Sequence, residues 1–480
     1  MNDRKGFGSN FGFLMAAVGS AVGLGNIWGF PNKMGANGGF PFLILYLALA
    51  LCCGVIIMLG ELALGRKTGH GAVGAYQSIS KRFKWLGWLG IAAAALIFSF
   101  YSALGGYCLR YVVVNFGNLL GAEFGTNGVG GADVFQGLLS QPDVSIAFAL
   151  AFMLITMLVV MCGVGGGIER VCSVGMPALF FILIICIIRS CTLPGAADGL
   201  KYMFVPGWAV ANGIIDEAPG FWRVLTAAGG QMFFSLSLGA GVMITYGSYL
   251  DKKQDLGKST MIIVGMDTVV ALMAGLCVIP GRFALDPNGA LGGPELLFIT
   301  MQNVFDKMGP AGPVFGILFY LLVFFAAISS SISMLEVIVA HFCDKAREKG
   351  KGDRRKLYSA IVVVICAALC ALVCADGMGS NHISPAELLG LAGAKLPGWS
   401  TSWLGLFDSV AEGLLMPLGA LLMCLMISWE LKPDALRQEI LLNGENRPWV
   451  YDFFRLCVKY ITPLCMLMIL YGQISDFFIV

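Results

Sequence analysis

The run Gly19-Ser20-Ala21-Val22-Gly23-Leu24-Gly25-Asn26 lies inside an apolar stretch, Phe13 to Leu45, long enough to cross a membrane. A helix in lipid must satisfy its own backbone, so glycines and an asparagine at mid-depth predict a break rather than an ordinary span. Irregular backbone is tolerated there only where it faces protein or a polar cavity, and its freed carbonyls and amides then bind ions and solutes. A second such run, Ser235-Leu236-Ser237-Leu238-Gly239-Ala240-Gly241, follows about two hundred residues later. Paired interruptions in matching places of two halves are the sequence mark of a secondary transporter's binding site.

Outward from the two breaks, the rest of the chain reads as membrane protein. Its 480 residues are 58% hydrophobic and 12% charged, which excludes an ordinary soluble domain. Runs of spanning length lie at 11–35, 40–64, 86–117, 144–163, 172–191, 222–250, 259–281, 312–342, 357–375, 404–428 and 454–478. The expected fold is all-α and polytopic, one transporter domain over 1–480 with eleven transmembrane helices, the first and sixth broken. Spans one to five (11–191) and six to ten (222–428) each open on a broken helix, the layout of a five-plus-five inverted repeat; 454–478 is an additional span. The first span starts too near Met1, and is too rich in glycine, to be a cleaved signal peptide. The stretch 296–308 reads as a short outer helix, either a vestibule cap or a packing element.

Placing the N-terminus in the cytoplasm puts 23 of the 31 Lys and Arg residues on cytoplasmic segments, including 65–85, 164–171, 251–258, 343–356 and 429–459. An odd number of spans then leaves the C-terminus outside. The net charge of +2 implies no nucleic-acid partner, because the basic residues sit at membrane edges. Most of the fifteen cysteines fall inside spans and read as small buried hydrophobes, not as a disulfide or zinc framework. His70, His341 and His382 have no metal-ligand spacing. The bilayer is the one macroscopic partner expected, and no obligate protein partner is inferred.

Seven motifs carry a family resemblance. GFLMAAVGSAVGLGNIWGFPNKMGANGGFPFLILY at 12–46 closely resembles the first-span signature of the neurotransmitter:sodium symporters. GELALGR at 60–66, GIERVCSVGMPALF at 167–180, GQMFFSLSLGAGVMITYGSYL at 230–250, FFAAISSSIS at 324–333, LFDSVAEG at 406–413 and KYITP at 459–463 continue the match in order. Eleven spans, and no cysteine pair in the second outer loop, look like the prokaryotic branch that includes the bacterial leucine transporter. The resemblance implies a bundle of spans 1, 2, 6 and 7 rocking against a scaffold of spans 3, 4, 8 and 9. It also implies alternating-access symport of a neutral, hydrophobic or aromatic amino acid with two sodium ions, in the inner (plasma) membrane of a prokaryote.

Site residues follow from the resemblance position by position. The first sodium site is implied at the Ala21 carbonyl, Asn26, Ser235 and Asp267, completed by the substrate carboxylate. The second joins carbonyls of Gly19, Val22 and Ala326 to hydroxyls of Ser329 and Ser330. Sodium is a hard cation suited to such oxygen ligands, and these are the only metal sites expected. The bland alternative for Ser329-Ser330-Ser331 is hydroxyls bonded back to their own helix. Substrate carboxylate is implied at the amides of Gly23–Gly25 and the Tyr101 hydroxyl, and the amino group at carbonyls near Ala21, Phe234 and Ser237. The side-chain pocket is Gly23, Ile97, Phe234, Ala240, Ser330 and Met334, apolar throughout and therefore hostile to a charged side chain. Ala240 replaces a bulky phenylalanine of the bacterial leucine transporter, giving room for a larger substrate. Asp267 is an intramembrane acid, costly and functional by default, and supplies a fixed negative charge in place of chloride, so no chloride requirement is expected. Glu61 is implied to brace the first break.

Gly29 stands where the family has the arginine that pairs with the tenth-span aspartate, here Asp408, to close the outer gate. Closure is then expected from Tyr101 and Phe234. An inner gate pair is implied between Arg4 and Asp344, near Ser248 and Tyr249. Gly167 and Pro177 bracket a helix start that can unwind toward the second sodium site, or else form a fixed kink. The rival functions are a proton-coupled or sodium-independent transporter of the same fold, a channel, or a non-transporting amino-acid sensor. No nucleophile–base pair or metal cluster supports an enzyme, and GLGNIWG lacks the spacing of a dinucleotide loop.

Overall fold

Apolar runs this long, with few interior charges, satisfy their backbone by winding into helices, and every described segment of regular structure is helical. The protein's structure is a computed structural model that describes residues 6–126, 128–290, 293–352, 354–390, 398–431, 433–441 and 448–478. The principal helices are α1 (Asn10–Ala21), α2 (Gly25–Ala36), α3 (Phe40–Thr68), α4 (Lys81–Leu120), α5 (Pro142–Met161), α6 (Val164–Cys191) and α7 (Phe221–Ser235). They continue with α8 (Val242–Gly247), α9 (Leu256–Leu285), α10 (Gly309–Glu348), α11 (Arg355–Gly379), α12 (Trp403–Leu431) and α13 (Trp449–Ser475). Among the described residues nine helices are long and apolar enough to cross a membrane, ten when α1 and α2 count as one bent span.

Burial separates the centre from the rim. The apolar window of α4 is 78% buried and that of α6 only 28%, so α4 is an interior pillar while α6 offers most of its faces to lipid. α4 packs along α10, and both run to 40 residues, about 60 Å of helix, well beyond the hydrocarbon thickness. Of the broken segments, α1 and α8 sit against α10. α1 packs on α6, α9 and α10, α7 on α3 and α13, and α8 on α3.

Two local expectations are resolved here. The stretch 296–308 is helical over Leu296–Thr300 and Met301–Lys307, pinned by the Tyr320 hydroxyl donating to the Leu297 carbonyl at 3.0 Å. The stretch 164–171, expected as a cytoplasmic connection, is instead the start of α6. Its glycines lower the apparent hydropathy, yet they accommodate a wide first turn over Val164–Ile168 that feeds directly into the helix.

Candidate functional site

The first break falls at the glycine-rich run. α1 ends at Ala21, Val22 turns to an extended conformation, and α2 resumes at Gly25 with its axis bent by 44°. Its loose backbone groups find partners that hold the break in place. The Gly23 amide donates to the Asn26 side-chain oxygen at 3.1 Å, and the Leu24 amide to the Tyr101 hydroxyl at 2.7 Å. The Gln231 side chain donates to the Gly25 carbonyl at 2.6 Å. A Cβ on Gly23 would run into the Ser330 hydroxyl and come within 2.5 Å of the Tyr101 oxygen, so only glycine fits this close approach.

The second break occupies 236–241 between α7 and α8. Gly239 has φ +80, and a Cβ there would collide with the Met416 carbonyl. The Gly239 amide donates to the Glu61 carboxylate at 2.7 Å. Glu61 therefore braces the second break, not the first as the family resemblance implied. α3 packs directly on α8, which brings Glu61 to that side.

The residues proposed for the first sodium site converge. The Asn26 amide donates to the Asp267 carbonyl at 2.9 Å and to its carboxylate at 2.8 Å. The Ser235 hydroxyl reaches both carboxylate oxygens, at 3.0 and 2.9 Å, and the Tyr46 hydroxyl reaches one at 3.2 Å. All four side chains are fully buried, with Ala21 in the same core. Tyr46 was not among the expected site residues, although it closes the quoted first motif; a tyrosine near the end of an apolar run gives no periodic signal.

The second group also assembles. The Ser329 hydroxyl lies 3.4 Å from the Val22 carbonyl and 3.0 Å from that of Ala326, and the Ser330 hydroxyl lies 3.4 Å from the Gly19 carbonyl and 3.1 Å from that of Ser20. Bonding back to the same helix thus describes part of Ser329, while Ser330 reaches across to α1. Six oxygens from α1, Val22 and α10 meet here without a charged side chain.

Between the two groups lie the candidate substrate residues. The Tyr101 and Phe234 rings are tilted with centroids 6.3 Å apart. A Cβ on Gly25 would sit 3.0 Å from the Phe234 ring. The Ser237 hydroxyl donates to the Ser20 carbonyl at 3.1 Å and its amide to the Phe234 carbonyl at 3.2 Å, with Ser237 itself at φ +52. Ile97, Ala240 and Met334 are buried in the same continuous core.

The expected inner gate pair cannot be followed at both ends. Arg4 lies outside the described residues. Asp344 accepts from the Gly71 amide at 3.2 Å and lies 4.0 Å from the Arg347 guanidinium. A further network that the sequence reading missed is built on α10. Glu336, fully buried on α10, is bound by both terminal nitrogens of Arg355 and accepts from the Tyr249 hydroxyl at 2.6 Å. Phe7 packs edge-on against Phe13, Tyr246 and Tyr249 beside it. Glu169 at the start of α6 accepts from the Gly8 amide at 2.7 Å and the Ser9 hydroxyl at 2.9 Å, tying down the entry to α1. An acid inside the apolar run of α10 was the available signal for Glu336. Asp408 lines a cavity of about 310 Å³ together with Lys33, Arg223 and Glu412, and Lys33 forms an ion pair with Glu412.

Comparison with known proteins places the chain in a family. A family model described as the Sodium:neurotransmitter symporter family matches residues 4–127 and 132–478. An uncharacterized sodium-dependent transporter of Bacillus subtilis is 36% identical over 97% of both chains. Another from Methanocaldococcus jannaschii is 30% identical over 91% of this chain and 84% of its own. The crystal structure of MhsT in complex with L-phenylalanine superposes with a TM-score of 0.83 at 34% identity, covering 98% of this chain and all of that one. Its relatives are membrane transporters and not enzymes, and this chain belongs to the sodium:neurotransmitter symporter family.

Proposed function

We propose that this protein is a sodium-driven symporter of neutral amino acids with large apolar or aromatic side chains, working by alternating access. The observation that carries the reading is the meeting of two oxygen-rich groups on either side of the first break: Asn26, Ser235 and Asp267 on one, Gly19, Val22, Ala326, Ser329 and Ser330 on the other. Hard oxygen donors of this kind suit sodium, and two such sets support two ions. In this reading the chain has eleven spans in a five-plus-five inverted repeat, with α1–α2 and α7–α8 as its broken helices. It lies in the inner membrane of a prokaryote with its N-terminus in the cytoplasm and its C-terminus outside.

The amino-acid carboxylate would accept from the amides of Gly23–Gly25 and from the Tyr101 hydroxyl and complete the first sodium's ligands. Ile97, Phe234, Ala240 and Met334 would enclose the side chain. The bound phenylalanine of MhsT supports a substrate of that size. Uptake into sealed vesicles tests the proposal: labelled phenylalanine should accumulate with a sodium gradient and not with potassium or choline, with or without a proton gradient. Accumulation that follows protons alone would select the proton-coupled alternative. Ala240→Phe should shift the preference toward smaller aliphatic amino acids by about tenfold or more. Competition by Asp, Glu or Lys exceeding that by Leu, Met or Trp would overturn the pocket.

At the second group, Ser329→Ala with Ser330→Ala removes two of five proposed oxygens. The sodium concentration for half-maximal uptake should rise about tenfold or more, since each lost oxygen of a buried site costs about 1–2 kcal/mol. An unchanged sodium activation curve would place the second ion elsewhere.

A further inference from the structure

The outer side of the fold shows an ion pair where the sequence predicts none. Gly29 leaves Asp408 without the family's arginine, yet Lys33 of α2 pairs with Glu412 of α12. Lys33 lies one helical turn beyond Gly29 and Glu412 one turn beyond Asp408. In the proposed orientation α2 runs outward and α12 inward, so Lys33 is a turn nearer the outside and Glu412 a turn deeper. The pair therefore spans the same gap diagonally. A wide seven-residue winding over Ser409–Leu415 includes Glu412, and such a local change of pitch re-aims a side chain.

Three further observations make this more than a surface contact. The side chains are only 25% and 9% exposed. Asp408 shares the cavity with Lys33, so a second carboxylate faces the same ammonium group. The pair is also seated on α7: a Cβ added to Gly230 would lie 2.8 Å from the Glu412 carboxylate and 3.6 Å from the Lys33 nitrogen. The space that the missing arginine would enter from Gly29 is taken by Gln231, whose side-chain oxygen would be 2.9 Å from a Cβ there.

We propose that Lys33 and Glu412 are the outer closing pair of this transporter, joining both broken segments to α12 and standing in for the family's arginine–aspartate contact. The proposal rests on the alternating-access reading. When the outer side opens, the pair separates and Asp408 and Glu412 are left facing each other across one turn, a repulsion that returns α2 to its closed position. Lys33 and Glu412 act through the position of α2 and α7; they do not touch the substrate groups at Tyr101 and Phe234.

Hydrogen–deuterium exchange on the whole protein in lipid nanodiscs, in sodium without amino acid, tests this. Lys33→Gln and Glu412→Gln should each speed exchange in peptides covering 25–36 and 221–235 by about fivefold, as expected for loss of a half-shielded pair. The charge swap Lys33→Glu with Glu412→Lys should return exchange toward the native rate, and Lys33→Arg should leave it there. Native exchange in both single variants, or a swap more open than either single variant, would overturn the closing role. Sodium-driven uptake by the native protein, measured alongside, reads the transport proposal alone. Its absence would reject that proposal even where the exchange data show the pair holding the outer side shut.

Discussion

Asp267→Ala is expected to lower sodium-driven uptake by about a hundredfold or more. Asn26, Ser235 and Tyr46 all direct their polar hydrogens at this one carboxylate, and none of the four side chains is reached by solvent. Removing the centre of such a network strands three buried donors as well as deleting the proposed ion ligand. Breaking a buried charged contact costs about 3–5 kcal/mol, or two to three powers of ten in an equilibrium constant. In the proposed sites the carboxylate is the only acid that the protein supplies, so it would carry the fixed charge that offsets the incoming sodium. Native uptake should therefore proceed without chloride. Asp267→Ser and Asp267→Asn keep a small polar group and should be slow in chloride-free medium, with chloride restoring part of the rate. Native-like, chloride-free transport by either variant at normal sodium affinity would show that another group supplies the charge.

The two breaks were legible in the sequence because several glycines clustered with polar residues at mid-depth mark backbone that an ordinary span would have to satisfy by itself. The oxygen groups around Asp267 and Ser329 were legible through linked motifs, since composition alone does not tell a serine that faces α1 from one that faces its own helix. What stayed hidden was partnership across the fold. Glu61 was visible as an intramembrane acid, but only the packing of α3 on α8 shows that it serves Gly239. The loss of arginine at Gly29 was plain, while its replacement by Lys33 and Glu412, 379 positions apart, depends on how α2 and α12 cross and on the wide turn in α12. Helix periodicity specifies faces, not neighbours. Glu336 escaped for a different reason: it lies only seven residues before the charged segment 343–356, close enough to pass as part of it.

That acid underlies the second large effect. Arg355→Met leaves the Glu336 carboxylate, which solvent does not reach, with the Tyr249 hydroxyl but without the guanidinium that lies 3.1 Å from it. A charge stranded in this way costs about 3–5 kcal/mol, far above the about 0–1 kcal/mol of an exposed pair. The loss falls on contacts that join α8, α10 and α11 on the proposed inner side, so the inward-closed state should suffer most. Uptake should fall about tenfold or more, and the apparent unfolding temperature in nanodiscs by about 5–10 °C. The double variant Glu336→Gln with Arg355→Met removes the stranded charge while keeping an oxygen for Tyr249. Replacing a buried ion pair by neutral groups of similar volume is often nearly neutral, so this variant should recover most of the lost stability. Uptake provides the separating measurement. If the pair serves packing alone, transport recovers with stability; if it also holds the inner side closed, stability recovers while sodium-driven accumulation stays low and the inner ends of α1 and α8 remain fast in hydrogen exchange. A double variant as unstable as Arg355→Met would refute the stranded-charge account, because the carboxylate would then not be the source of the cost.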